Sequence, residues 1–352
     1  MRKILLAIPL LWLAQILQAA QPALPALSVP VTDNAVAAMK NHGHWTLYSF
    51  MGIGAKKTWD DITPASYALE PGAKKWELTR PVPGPVGRIG VSAVAARDHI
   101  FLFGGFVADR GGRGTAVPDV NVYEPAADRW WRGADMPVPV GDAVAGVFMN
   151  RFIYILGGRA NNGAAVNVQI YDAEKNKWRQ GAPLPSYGVF GHAGAIVDDT
   201  ILYVDGVFTE ASPNGPRFVS TDECWYGKIN HGNPTKIRWE RLPNHPGDAR
   251  FNIAAGGSQK DEKIYFSGGS AEGYDYTGRT NEGKAAVPSP MTFDFDLRRK
   301  EWEVIDDSTP HPIMNQHGLL VTDDGVVLIG GMEQGATVSS QVTLIPTGKK
   351  KN

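Results

Sequence analysis

One cysteine, Cys224, stands among 352 residues, so no disulfide can form within the chain. Stability must come from a buried core, which a chain of this size can supply without staples. An excess of one charge is also missing: 35 Lys and Arg face 36 Asp and Glu, for a net charge of −1. The Lys349-Lys350-Lys351 run has no basic stripe beside it and reads as a solvated tail, which argues against a nucleic-acid partner. The longest apolar stretch, Ile4 to Leu17, is interrupted by Pro9 and Gln15, and falls short of the roughly 20 apolar residues of a membrane span. His-Glu-x-x-His, Cys-x-x-Cys, Gly-x-Ser-x-Gly and Gly-Lys-Ser/Thr do not occur, which removes the common zinc, redox, serine-hydrolase and phosphate-loop signatures. The histidines are dispersed, and the His42/His44 pair alone is too weak to suggest a metal. Neither a metal nor a cofactor is expected.

Glycine and tryptophan, by contrast, are placed with regularity. The doublets Gly104-Gly105, Gly157-Gly158, Gly268-Gly269 and Gly330-Gly331 each close a short apolar run, and weakened copies occur at Gly52-Ile53-Gly54 and Asp205-Gly206. From Trp76, Trp130, Trp178, Trp239 and Trp302 to the next doublet the distance is 28, 27, 27, 29 and 28 residues. The arm from doublet to Trp varies instead, from 20 residues after Gly158 to 33 after Gly269. A constant arm marks packed scaffold and a variable arm marks loops free to specialise. Short strands ended by glycine and backed by Tyr123 with Trp130, or Tyr171 with Trp178, describe an all-β repeat.

This repeat resembles the kelch motif, and the resemblance runs from about Leu27 to Pro346. It implies four-stranded antiparallel blades around a central channel, and six doublets imply six blades within a domain spanning residues 27–347. The sixth repeat lacks a Trp, and an open blade would expose an edge. The segment near Leu27 to Val31 is therefore expected to close the ring. Arg2 and Lys3, the apolar stretch and the small residues Ala19 and Ala20 read as a secretory leader over residues 1–20, and imply a periplasmic or secreted protein with no membrane attachment once the leader is removed.

In such a blade the lead-in to the first strand and the connection between the second and third strands share one face. The variable arms, 106–118, 207–223 and 270–290, crowd that face. The lead-ins bring Arg88, Asp142, His192, Arg250, Asn252, Asn315 and His317 toward the channel, with Arg159 and Glu333 just after doublets and Tyr274, Tyr276 and Arg279 on the longest arm. These form a candidate mixed-charge site in which Asp142, His192, Arg250 and Glu333 are the acid–base candidates and the others ligand contacts.

Among kelch-repeat families, galactose oxidase needs a copper site with a Tyr–Cys crosslink and an adjacent Tyr-His pair, and this chain has no Tyr-His pair. The secreted six-bladed sialic acid mutarotases (N-acetylneuraminate epimerases) are similar in leader, blade number and closure. That similarity implies a small carbohydrate or glycan ligand, bound either by a mutarotase-like isomerase or by a non-catalytic module. A propeller that serves only as a protein-interaction module is the alternative.

Overall fold

The computed structural model describes residues 23–84, 86–213 and 217–348; the leader and the lysine tail lie outside them. Five four-stranded antiparallel sheets and one three-stranded sheet form six blades. The second blade shows the order: Ser92–Ala96 innermost, then His99–Phe103, Val120–Glu124 and Arg129–Arg132 at the outside. The innermost strands Ala35–Asn41, Ser92–Ala96, Val144–Phe148, Ala193–Val197, Ala254–Ser258 and Leu320–Thr322 touch in sequence, and the last returns to the first. Short hairpins such as Phe106–Ala108 with Gly114–Ala116 rise from the connections between second and third strands, all on one face.

Second strands such as Phe152–Leu156 and Thr200–Val204 are buried along their whole length, as expected of strands covered on both faces by neighbouring blades. The outer tryptophan then locks one blade to the one before. Trp130 meets Phe50 edge-on at 5.7 Å and donates its indole N–H to the Arg80 carbonyl at 2.9 Å. One blade on, Trp178 meets Phe103 at 5.7 Å and donates to Ala134 at 2.8 Å. This shared geometry fixes the length of the constant arm.

The doublets end the second strand of each blade rather than the innermost one, and their purpose is to receive the next blade. Gly104 has φ +59, and a Cβ there would stand 2.0 Å from the Val140 carbonyl oxygen, while the Gly105 N–H donates to that same oxygen at 2.9 Å. Only a residue without a side chain tolerates both the left-handed backbone and the approach. The contact recurs from Gly158 to Val189, Gly269 to Ile313 and Gly331 to Val31. The last of these joins blade six to blade one and closes the ring through the N-terminal segment, as expected. Leu27 and Val31 also donate backbone N–H groups to Ser340 and Ser339 at 2.8 and 3.1 Å. Residues 23–31 thus bind blade six by separate hydrogen bonds without adding a strand, and its sheet stays three-stranded.

Candidate functional site

Two residues ahead of the innermost strand, or five in blade six, each blade turns its chain at the channel mouth. The turning residues are Asp33, Gly90, Asp142, Gly191, Asn252 and Asn315, with φ of 59, 64, 53, 60, 48 and 62°. Left-handed backbone favours Gly, Asn and Asp, which explains why only these three types occur. Their backbones interlock: Asp33 donates its N–H to Asn315, Asp142 to Gly90, Gly191 to Asp142 and Asn252 to Gly191, at 2.8–3.1 Å. Gly90 donates its own to the Asp33 carboxylate at 2.8 Å. The result is a hydrogen-bonded collar whose side chains are polar and nearly all buried.

Within the collar two carboxylates meet a histidine. His317 Nε2 lies 2.5 Å from Asp33 Oδ1 and 3.5 Å from Asp142 Oδ1, ion-pairing distances without hydrogen-bond alignment. The Asp142 carboxylate rests above Gly90, where a Cβ would come within 2.5 Å of Oδ1. Burial pushes the Asp142 carboxyl up to about 6; His317 and Arg159 pull it down, and Asp33 adds repulsion. For His317 burial opposes the charged ring, but the two carboxylates outweigh it and hold the imidazole above its ordinary value. Asp142 and His317 thus each favour the charged form of the other. The same cluster, Asp33, Asp142 and His317, has donor atoms close enough to hold a metal ion.

Above the collar opens a cleft of about 860 Å³, with Asp33, Asp142, Asn252 and Asn315 in its floor and Phe106, Phe190 and Phe251 in its walls. Arg159 stands over the Phe106 and Phe190 rings at 5.8 and 5.7 Å, exposed and without an ion pair among the described residues. Below the collar, a channel of about 310 Å³ runs along the ring axis between small residues such as Ala37, Ala95, Gly194 and Ala195. Asp142 and Asn252 line both spaces, whereas His317 faces the channel and supports the carboxylates from behind.

A strap, residues 270–290, crosses the cleft from blade five. It folds on itself through Asp275, whose carboxylate accepts the Thr277 and Arg279 N–H groups at 2.8 and 3.2 Å. Lys57 of blade one donates to the Thr277 and Ala336 carbonyls, both at 2.8 Å. Asn281 exchanges two hydrogen bonds with the Phe218 backbone of blade four, and the Tyr276 hydroxyl rests on Gly112 of blade two. The strap drives Tyr274 down onto the collar, where it is 2% exposed with its ring edge-on to Phe251 at 5.0 Å.

Of the residues singled out in the sequence, Asp142, Arg159, Asn252, Tyr274, Tyr276 and Asn315 converge in the cleft, with His317 directly behind. The others lie elsewhere. Arg88 and Arg250 occupy the same place in their repeats, buried between blades. Arg88 donates to the Gly104 carbonyl at 2.6 Å and to Asn121, and burial lowers its guanidinium to about 10. Arg250 reaches the Gly268 and Met291 carbonyls at 3.4 Å and covers Phe293. His192 packs beside the Gly157 and Gly206 backbone and edge-on to Tyr203 at 5.5 Å. Burial drops it to about 3, so the ring is neutral, and neither nitrogen has a hydrogen-bond partner among the described residues. Arg279 is spent on the strap, donating to Gly283 at 2.8 Å, and Glu333 accepts the Ser339 hydroxyl at 2.6 Å. Asp33 was not anticipated; its signal is its position, two residues before an innermost strand, as Asp142 is.

Comparison with known proteins agrees with this architecture. Residues 143–185 match the kelch motif. Kelch-like protein 15 of Danio rerio is 26% identical over 73% of this chain and 40% of its own length, and alpha-scruin of Limulus polyphemus 27% over 78% and 28%. The chain thus spans less than half of these relatives. N-acetylneuraminate epimerase of Yersinia pestis is 24% identical over 84% of this chain and 71% of its own. The solved structure of YjhT superposes with a TM-score of 0.73 at 20% identity, covering 94% of this chain and 98% of that one. The chain is a six-bladed kelch-repeat propeller similar to N-acetylneuraminate epimerase.

Proposed function

We propose that the protein binds a small carbohydrate in the strapped cleft and interconverts its anomers. The observation that carries this reading is a pair of cleft-facing carboxylates, Asp33 and Asp142, backed by one histidine and flanked by aromatic walls and an unpaired guanidinium. Aromatic faces suit the C–H faces of a sugar, and Arg159 suits a carboxylate or hydroxyls. Ring opening of a hemiacetal needs a base for the anomeric hydroxyl proton and an acid for the ring oxygen. As the C–O bond breaks, its electron pair goes to the ring oxygen, which takes a proton; the anomeric C–O becomes a carbonyl. Re-closure on the other face of the carbonyl reverses each transfer. Asp142, which keeps its proton to about pH 6, is the acid; Asp33 is the base; His317 positions both.

The likeness to N-acetylneuraminate epimerase supports sialic acid as the first sugar to try, and the leader over residues 1–20 supports action in the periplasm or outside the cell. One-dimensional NMR of freshly dissolved anomers tests the reaction. Wild type and Glu333→Gln should speed exchange alike and Asp142→Asn should not; equal activity in Asp142→Asn removes the reading. Mass spectrometry of exported protein should find a chain starting near Ala20 or Gln21, and retained Met1 would refute the leader.

A further inference from the structure

Tyr274 carries a buried polar atom that the fold does not use. Its hydroxyl lies near the Asn252 amide and the Asn315 backbone without a hydrogen bond of normal geometry to either, and has no other partner among the described residues. Leaving a buried hydroxyl unpaired costs stability, and a phenylalanine would fill the same wall without that cost. The strap nonetheless delivers this tyrosine to the collar, where burial above all, and then the nearby Asp33 and Asp142 charges, hold its proton on, and into the lining of the cleft. The two amide donors of the collar are committed, since Asn252 Nδ2 donates to Asn315 Oδ1 at 2.8 Å and Asn315 Nδ2 to Thr32 Oγ1 at 3.1 Å.

Resting on the anomer-exchange reading above, we infer that Tyr274 is a third catalytic residue, whose hydroxyl donates a hydrogen bond to the anomeric oxygen as that oxygen becomes a carbonyl. When Asp33 removes the anomeric proton, negative charge builds on that oxygen before the double bond is complete. A preorganised, neutral O–H in a water-poor pocket stabilises such charge far more in the transition state than in the resting sugar. No proton changes hands at Tyr274: it remains a phenol throughout, so the proton balance between Asp33 and Asp142 is untouched. The strap thereby joins the site as a carrier of one reacting contact, held in place by Lys57 and Asn281.

The test compares wild type, Tyr274→Phe, Tyr171→Phe and Asp142→Asn with sialic acid, measuring exchange rate at saturating sugar, sugar affinity and melting temperature. Tyr274→Phe should exchange roughly 100-fold more slowly, the scale of one lost oxyanion donor. Its affinity should stay within about threefold and its melting temperature should equal or exceed the wild-type value. Tyr171→Phe, on an outer blade strand away from the cleft, should exchange sugar as wild type does. Full exchange in Tyr274→Phe alongside an inactive Asp142→Asn overturns the role of Tyr274 and leaves the acid–base pair standing. A wild type that exchanges no sugar overturns both. A Tyr274→Phe protein that melts lower and binds less, with unchanged rate at saturation, would show a structural hydroxyl and also overturns the inference.

Discussion

At the residue scale, the collar separates groups that serve the site from groups that serve the ring, though both looked alike in the sequence. Asp142 and Arg250 are each a charged residue ahead of an innermost strand, yet a two-residue difference in register sends one into the cleft and the other between blades. Arg250→Ala should cost about 1–3 kcal/mol in denaturant unfolding by leaving buried carbonyls unpaired, with sugar exchange unchanged. Asp142 gives a pH signature. Its folded carboxyl sits at about 6, above the ordinary value near 4, so it contributes stability that is full below about pH 4 and is lost as pH rises through 6. Asp142→Asn should therefore gain on wild type in melting temperature from pH 4 to pH 7. A variant that instead loses ground to wild type over that range would contradict the buried, raised carboxyl.

Elements were legible in proportion to how strictly their geometry repeats. The constant arm encodes the Trp lock and the glycine contact, whose distances leave no freedom, so the doublets gave the blade number once the kelch resemblance supplied the blade, and the Trp missing from the sixth repeat pointed to closure by the N-terminal segment. The strap could be recognised only as a long variable arm, because its path depends on single anchors on three other blades, Lys57, Gly112 and Phe218, which no local pattern announces. Asp33 escaped notice for a related reason: it lies in the first, weakened repeat, where Met51 stands in place of a doublet glycine with φ 56. Cutting one anchor tests the element: Asn281→Ala should leave the melting temperature nearly unchanged but speed proteolytic cleavage within 270–290. Equal cleavage rates would show that the Phe218 contact does not hold the strap.

The whole molecule works because a ring lets residues far apart in sequence share one collar: Asp33 and His317 meet only when blade six reaches blade one. Val31, which accepts the Gly331 N–H at 2.9 Å, closes that gap. Closure and site assembly are therefore one event. The most direct measurement is the rate of anomer exchange by wild type and Asp142→Asn at saturating sialic acid, followed by NMR from pH 5 to pH 8. Wild type should lose activity above about pH 6, approaching a tenfold loss per pH unit as Asp142 gives up its proton, and Asp142→Asn should be slow and flat throughout. A wild-type rate that holds steady from pH 6 to pH 8, or a variant that follows the wild-type curve, would contradict a catalytic site built on Asp142.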